Sequence, residues 1–233
     1  MFEKGLLPRD FIFPLVLANK TDSGFAYKCF LGTGFLFVNK RYTLTASHVI
    51  DINKEKDQSI LAIFVNENLS WSFFEINKNE DHPTEDVSIL KIEGGIWNSP
   101  FRMYSDFVVQ STHYKMFGYP EDTLYDFAVP NTINLPRPDL IYYEGYIRRR
   151  ISFNLNSVMK GNCFFELSEI AGRGCSGSPL FMDKSFDVIG IYVGEKHNSS
   201  EQSISYAVRA DSFCNWSPQM LGKSILDESK MVL

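Results

Sequence analysis

Runs of β-branched and aromatic residues, each closed by turn-forming residues, recur along almost the whole chain, and a chain so punctuated has few ways to fold. Phe35 to Val38 and Tyr42 to Ala46 flank Asn39-Lys40-Arg41, and Ser59 to Val65 and Trp71 to Ile76 flank Asn66-Glu67-Asn68, which reads as two hairpins. Val87 to Ile92, Tyr114 to Phe117, Leu140 to Ile151, Cys163 to Leu167, Val188 to Val193 and Ile204 to Val208 read as further strands. Only the last turns, from about Ser212 to Ile225, suggest a helix. Aromatics make up 15% of the residues, which suits half-buried pleated strands better than helical bundles. The expectation is an all-β sandwich or barrel, and 233 residues leave room for two barrels joined across Asn98 to Ser111. With 44% of residues apolar, the chain can bury a core without a metal or disulfide staple.

Charge narrows the function classes. Twenty-three Lys plus Arg stand against 28 Asp plus Glu, a formal net charge of −5, which opposes the basic face that phosphate neutralisation requires; no nucleic-acid partner is expected. The one basic run, Arg148-Arg149-Arg150, reads as a solvated strand end or a local anion patch. Lys4, Pro8, Arg9, Asp10 and Pro14 interrupt the apolar start, so no signal peptide is read there, and no window approaches the roughly 18 apolar residues of a membrane span. Cys29, Cys163, Cys175 and Cys214 lack the spacing of a zinc site or redox pair. They read as reduced thiols of a cytoplasmic protein with no metal, no cofactor and no membrane partner.

Three motifs carry chemistry. Gly32-Thr33-Gly34-Phe35 leads to Thr45-Ala46-Ser47-His48-Val49, where small residues precede a histidine that ends an apolar strand and can face a cleft. Asp86-Val87-Ser88-Ile89-Leu90 opens another apolar strand with an acid able to accept a hydrogen bond from an imidazole; Asp81 and Glu85 compete for that role. Gly172-Arg173-Gly174-Cys175-Ser176-Gly177-Ser178-Pro179 sets Ser176 in a tight glycine-rich turn. There the N–H groups of Gly174 and Ser176 can converge on one oxyanion. Gly172, Gly174 and Gly177 also spell a dinucleotide-binding pattern, but Pro179 and a strand-like Leu180-Phe181 follow where that site needs a helix.

The order His48, Asp86, Ser176 is that of chymotrypsin-like double β-barrels and differs from those of subtilisin and the α/β-hydrolases. Over residues 12 to 225 the chain resembles trypsin-like serine peptidases, and most of all the bacterial HtrA/Deg-type branch. The resemblance implies two six-stranded barrels with a short C-terminal helix, residues 1–105 carrying His48 and Asp86 and residues 106–233 carrying Ser176. It implies a serine endopeptidase of polypeptide substrates, with Ser176 as nucleophile, His48 as general base and acid, Asp86 orienting it, and Gly174 and Ser176 forming the oxyanion hole. Ile170 is expected near the bottom of an apolar specificity pocket, with Tyr192, Val193 and Gly194 as a wall and Ile204 opposite. Glu169 and Glu195 are the nearby acids that would instead favour a basic residue.

Departures from the family pattern carry expectations of their own. Cys175 could serve as nucleophile as in viral cysteine peptidases of this fold, but Gly174-x-Ser176-Gly177 frames the serine and leaves Cys175 as a small buried residue. Secreted digestive relatives carry an acid just before the serine, which pairs with a newly cut N-terminus. Cys175 cannot do so, and activation by that trimming is not expected. HtrA/Deg-type relatives usually add PDZ domains and none fits after Leu233, so substrate delivery should differ. The long connection Pro120 to Pro138 reads as a flap over the cleft or a plain surface loop. The rival readings are a catalytically silent module, or a stress- or phage-defence effector switched on by a regulatory protein.

Overall fold

The computed structural model describes residues 7–37, 41–65, 71–94, 98–121, 124–125, 137–155, 159–197 and 203–230. A first closed barrel is built from β1 (Ile12–Thr21), β2 (Gly24–Leu36), β3 (Tyr42–Thr45), β4 (Gln58–Val65), β5 (Trp71–Asp81) and β6 (Ser88–Ile92) in the order β1-β2-β3-β6-β5-β4. Every neighbouring pair that is registered in it runs antiparallel. The sequence reading has no strand at β1, and the reason is visible in its burial: Ile12 to Ala18 are all buried, so the alternation that marks a half-solvated strand is missing. Phe13, Leu15 and Leu17 join the main core, whereas Val16 and Ala18 pack with Leu61 and Ile63 in a separate cluster under Phe25, Tyr27, Phe30 and Phe73. Pro14 fits because the ladder to β4 begins only at Leu15↔Ala62, so its missing N–H deprives no β4 partner.

The rest of the chain adds β7 (Arg102–Met103), β8 (His113–Gly118), β9 (Leu124–Tyr125), β10 (Arg137–Pro138), β11 (Ile141–Ile151), β12 (Phe164–Leu167), β13 (Pro179–Met182), β14 (Asp187–His197) and β15 (Ser203–Arg209). Strands β13-β8-β11-β12-β15-β14 form a second barrel that closes through β13 and β14, and β7 lies parallel against β14 outside the six. Strands β9 and β10 make a small separate ladder, and residues 126–136 of the connection read as a flap lie outside the described residues.

Among the described residues there are three short α-helices, α1 (Ser47–Ile50), α2 (Ala210–Phe213) and α3 (Ile225–Ser229), and a single 3-10 turn at Pro8–Asp10 before β1. The helix read over Ser212 to Ile225 is therefore corrected to two short helices at its ends. Pro218 cannot donate to an interior helical ladder, and Ser224 caps α3 by accepting the Asp227 N–H. The basic run is paired in part within the fold: Arg148 and Arg149, both more than half exposed, share Glu166 at 3.6 and 2.8 Å, and Arg150 pairs with Asp211. Among the described residues no disulfide joins the four cysteines, and no helix is long and apolar enough to cross a membrane.

Candidate active site

The turn that ends β3 places His48 in α1, where its side chain is 47% exposed, and the turn before β6 places Asp86, which is nearly buried. The His48 Nδ1 to Asp86 Oδ2 distance is 2.6 Å, and the His48 backbone N–H donates to Asp86 Oδ1 at 3.0 Å. A third donor was not anticipated from sequence: the Ser47 hydroxyl reaches Asp86 Oδ1 at 2.6 Å. Burial alone would push the Asp86 carboxyl up. The hydrogen bonds and charge of His48, with the Ser47 bond, outweigh it and hold the group below the ordinary carboxylate range.

The competing acids go elsewhere. Asp81 is exposed and accepts from the Ser88 hydroxyl at 2.7 Å. Glu85 turns away from His48 and accepts the N–H groups of Asn162 and Cys163, both at 3.2 Å, which ties the turn carrying Asp86 to the second barrel.

The glycine-rich turn is anchored on the first barrel by Thr33, a fully buried residue of β2. Its N–H donates to the Ser176 carbonyl at 2.8 Å and its hydroxyl donates to the Gly174 carbonyl at 3.1 Å. Gly32, one residue earlier, is squeezed between Val49 and Ser176: a Cβ there would lie 2.8 Å from the Val49 side chain and 2.9 Å from the Ser176 carbonyl oxygen. Ser176 is thereby held beside the residue that follows His48. Its hydroxyl donates to the Val193 carbonyl at 3.4 Å, and among the described residues it makes no hydrogen bond to His48.

Within the turn the N–H groups of Cys175, Gly177 and Ser178 are all used, by Gly172, Tyr192 and Cys175 carbonyls respectively. Those of Gly174 and Ser176 donate to no other described residue. The Arg173 carbonyl accepts from the Glu121 N–H at 2.8 Å; because a trans peptide points its N–H opposite to its carbonyl, the Gly174 N–H is turned away from Glu121. Cys175 is fully buried, its thiol directed to the Ala171 carbonyl at 3.2 Å.

A cavity of about 420 Å³ opens beside His48, lined by Ser47, Asp51, Asp81, Asp86, Met159, Lys160, Val193 and Glu195. Of the five residues expected in a specificity pocket, Val193 lines this cavity, whereas Tyr192 is fully buried and does not line it. Gly194 and Ile204 are half-buried, and Ile170 is 48% exposed. The Glu195 carboxylate accepts from the Gly172 N–H at 3.0 Å and from the Tyr192 hydroxyl at 3.4 Å, while Glu169 is exposed.

No family model and no curated protein matches this sequence. Solved structures do match. The protease domain of MamO from Magnetospirillum magneticum superposes with a TM-score of 0.63 at 13% identity, covering 88% of this chain and 94% of that one. Deg5 superposes with a TM-score of 0.65 at 15% identity over 93% and 92% of the two chains. The HtrA-type protease AlgW with a decapeptide gives 0.62 at 16% identity, over 86% of this chain, which spans 61% of the AlgW chain. The fold is that of trypsin-like, HtrA-type proteases.

Proposed function

We propose that this chain is a serine endopeptidase that hydrolyses peptide bonds through an acyl-enzyme. The observation that carries the reading is the short His48 Nδ1 to Asp86 Oδ2 contact, together with a glycine turn whose Gly174 and Ser176 N–H groups donate to no other residue among the described residues. In this reading Ser176 Oγ attacks the scissile carbonyl carbon as His48 Nε2 takes its proton. Asp86 holds the ring in the tautomer with Nδ1 protonated and stabilises the imidazolium. The two N–H groups hold the oxyanion. Collapse of the tetrahedral intermediate breaks the C–N bond, and His48 returns its proton to the leaving amine. Water, deprotonated by His48, then cleaves the ester and frees Ser176. Removing one oxyanion donor typically costs about 2.7–4 kcal/mol in the transition state.

The same reading divides the chain near residue 105 into a half that carries His48 and Asp86 and a half that carries Ser176. It assigns Val193, Gly194 and Ile170 to the pocket for the residue before the scissile bond, with Tyr192 beneath and Ile204 opposite. The decapeptide held by AlgW supports a polypeptide substrate.

The test is labelling of the purified protein with a fluorophosphonate probe. Labelling is expected in the wild type and absent in Ser176→Ala. The bond from the Ser176 hydroxyl to the Val193 carbonyl, rather than to His48, favours one second reading: a latent enzyme whose serine must be re-aimed by a partner. Absence of labelling in a folded wild type, restored by a partner from cell extract, selects that reading. Absence under both conditions rejects hydrolase function.

A further inference from the structure

Asp86 is 3% exposed, so each lone pair of its carboxylate must find a donor within the protein. Oδ2 faces His48 Nδ1. Oδ1 takes two donors, the His48 backbone N–H at 3.0 Å and the Ser47 hydroxyl at 2.6 Å. The backbone bond arrives from the same residue that the carboxylate must orient. The Ser47 hydroxyl is the one side-chain donor to Oδ1 among the described residues, and Ser47 is itself 4% exposed. Across the site Val193 shows only an apolar side chain, which can donate nothing. Ser47 therefore restricts rotation of the Asp86 carboxylate about its Cβ–Cγ bond and leaves Oδ2 aimed at the imidazole.

We propose that Ser47 is a positioning residue for the His48–Asp86 pair, its hydroxyl locking the Asp86 carboxylate in the rotation that meets Nδ1. The inference deepens the serine-peptidase reading and rests on it for its kinetic consequence; the geometry of the pair can be tested independently of turnover. Several charged groups share the His48 surroundings: Asp86 before β6, Asp51 after α1, Asp81 at the end of β5, Glu195 on β14, and Lys160 in the segment before β12. Substituting Ser47 alters none of their charges. A change of pH profile in that variant therefore reports on how Asp86 engages His48.

The experiment compares wild type, Ser47→Ala, Ser47→Thr, Asp86→Asn and Ser47→Ala/Asp86→Asn, each checked for folding by thermal melting. Peptide hydrolysis is measured across pH, and the far-downfield proton of the His48 Nδ1–H bond is followed by NMR. Ser47→Ala is expected to lower kcat about tenfold with KM unchanged, the scale of one lost hydrogen bond to a charged group. The acid limb of its profile moves to higher pH, because a carboxylate short of one donor holds a proton on the imidazole more strongly. The NMR resonance is displaced. Ser47→Thr, which keeps a hydroxyl, recovers most of the loss, and in the Asp86→Asn background Ser47→Ala has no further effect.

Wild-type kcat, pH profile and resonance in Ser47→Ala would overturn the proposal. So would an equal loss in the Asp86→Asn background, because the hydroxyl would then act without the carboxylate. If the wild type neither labels nor hydrolyses, the peptidase reading fails. The resonance in wild type and Ser47→Ala still decides the role of Ser47.

Discussion

A methyl group on Gly177 would sit 1.9 Å from the Thr33 carbonyl oxygen and 2.3 Å from the Thr45 hydroxyl, in a backbone with φ of +92°. Neither neighbour can retreat, since the Thr45 hydroxyl donates to that carbonyl at 2.7 Å and the Gly177 N–H is bonded to the Tyr192 carbonyl. Overpacking and backbone strain therefore act together, and Gly177→Ala should destabilise the fold by about 3 kcal/mol or more. Urea unfolding measures this; a loss below about 1 kcal/mol would mean the turn can shift away from Thr33. The local frame of this turn is legible from the sequence because turn chemistry is a short-range property. The partner of His48 is not. Asp81, Glu85 and Asp86 lie within six residues of one another, and only the folded turn shows that Asp86 alone among them reaches the ring.

The connection between β5 and β6 is ordered by an imidazole that has no catalytic role in the proposed mechanism. The His82 Nδ1 accepts the N–H groups of Glu85 at 2.9 Å and Thr84 at 3.2 Å, and the ring packs edge-on against Trp216. An accepting Nδ1 cannot carry a proton, so the turn requires the neutral ring in its Nε2–H tautomer. Burial, reinforced by Lys160, pushes the group down from 6.5 to about 4. Between those values the unfolded chain binds a proton that the folded chain does not. Stability is thus full above pH 6.5 and declines as the pH falls toward 4. His82→Asn keeps an acceptor oxygen and removes the titration, so its melting temperature should fall less steeply across that window. Equal slopes in the two proteins would sink this account.

The two barrels share one interior. The largest buried cluster contains Phe35, Leu44 and Ile89 from the first barrel together with Phe164, Val188 and Val208 from the second. Phe101, in the connection between them, is fully buried and contacts Phe11, Phe35, Phe181 and Phe186 at ring-centroid distances of 4.8 to 6.3 Å. Polar ties run beside it, among them the Tyr119 hydroxyl to the Ile12 carbonyl and the Tyr42 hydroxyl to the Met220 carbonyl. Unfolding should then be one transition, coincident by far-UV circular dichroism and intrinsic fluorescence. Phe101→Ala should cost roughly 3–5 kcal/mol. Two separated transitions in the wild type would show barrels that are stable alone.

The strand-rich class was readable because period, aromatic content and turn residues act within a few positions of each other, and the glycine-rich turn around Ser176 was readable for the same reason; two barrels rather than a sandwich followed from the resemblance carried by the three motifs and their order. Strand β1 escaped because burial on both faces erases the alternation that signals a strand; the expected short C-terminal helix is present as α3, but its start was read too early, because the stretch through Pro218 is not helical. Three relations belong to the tertiary structure alone: the Ser47 bond to Asp86, the Thr33 anchor on the Ser176 turn, and the Glu85 tie to residues 162 and 163. Each joins groups far apart in the chain, and a hydrogen bond depends on distances of a few tenths of an ångström that only the packed barrels set.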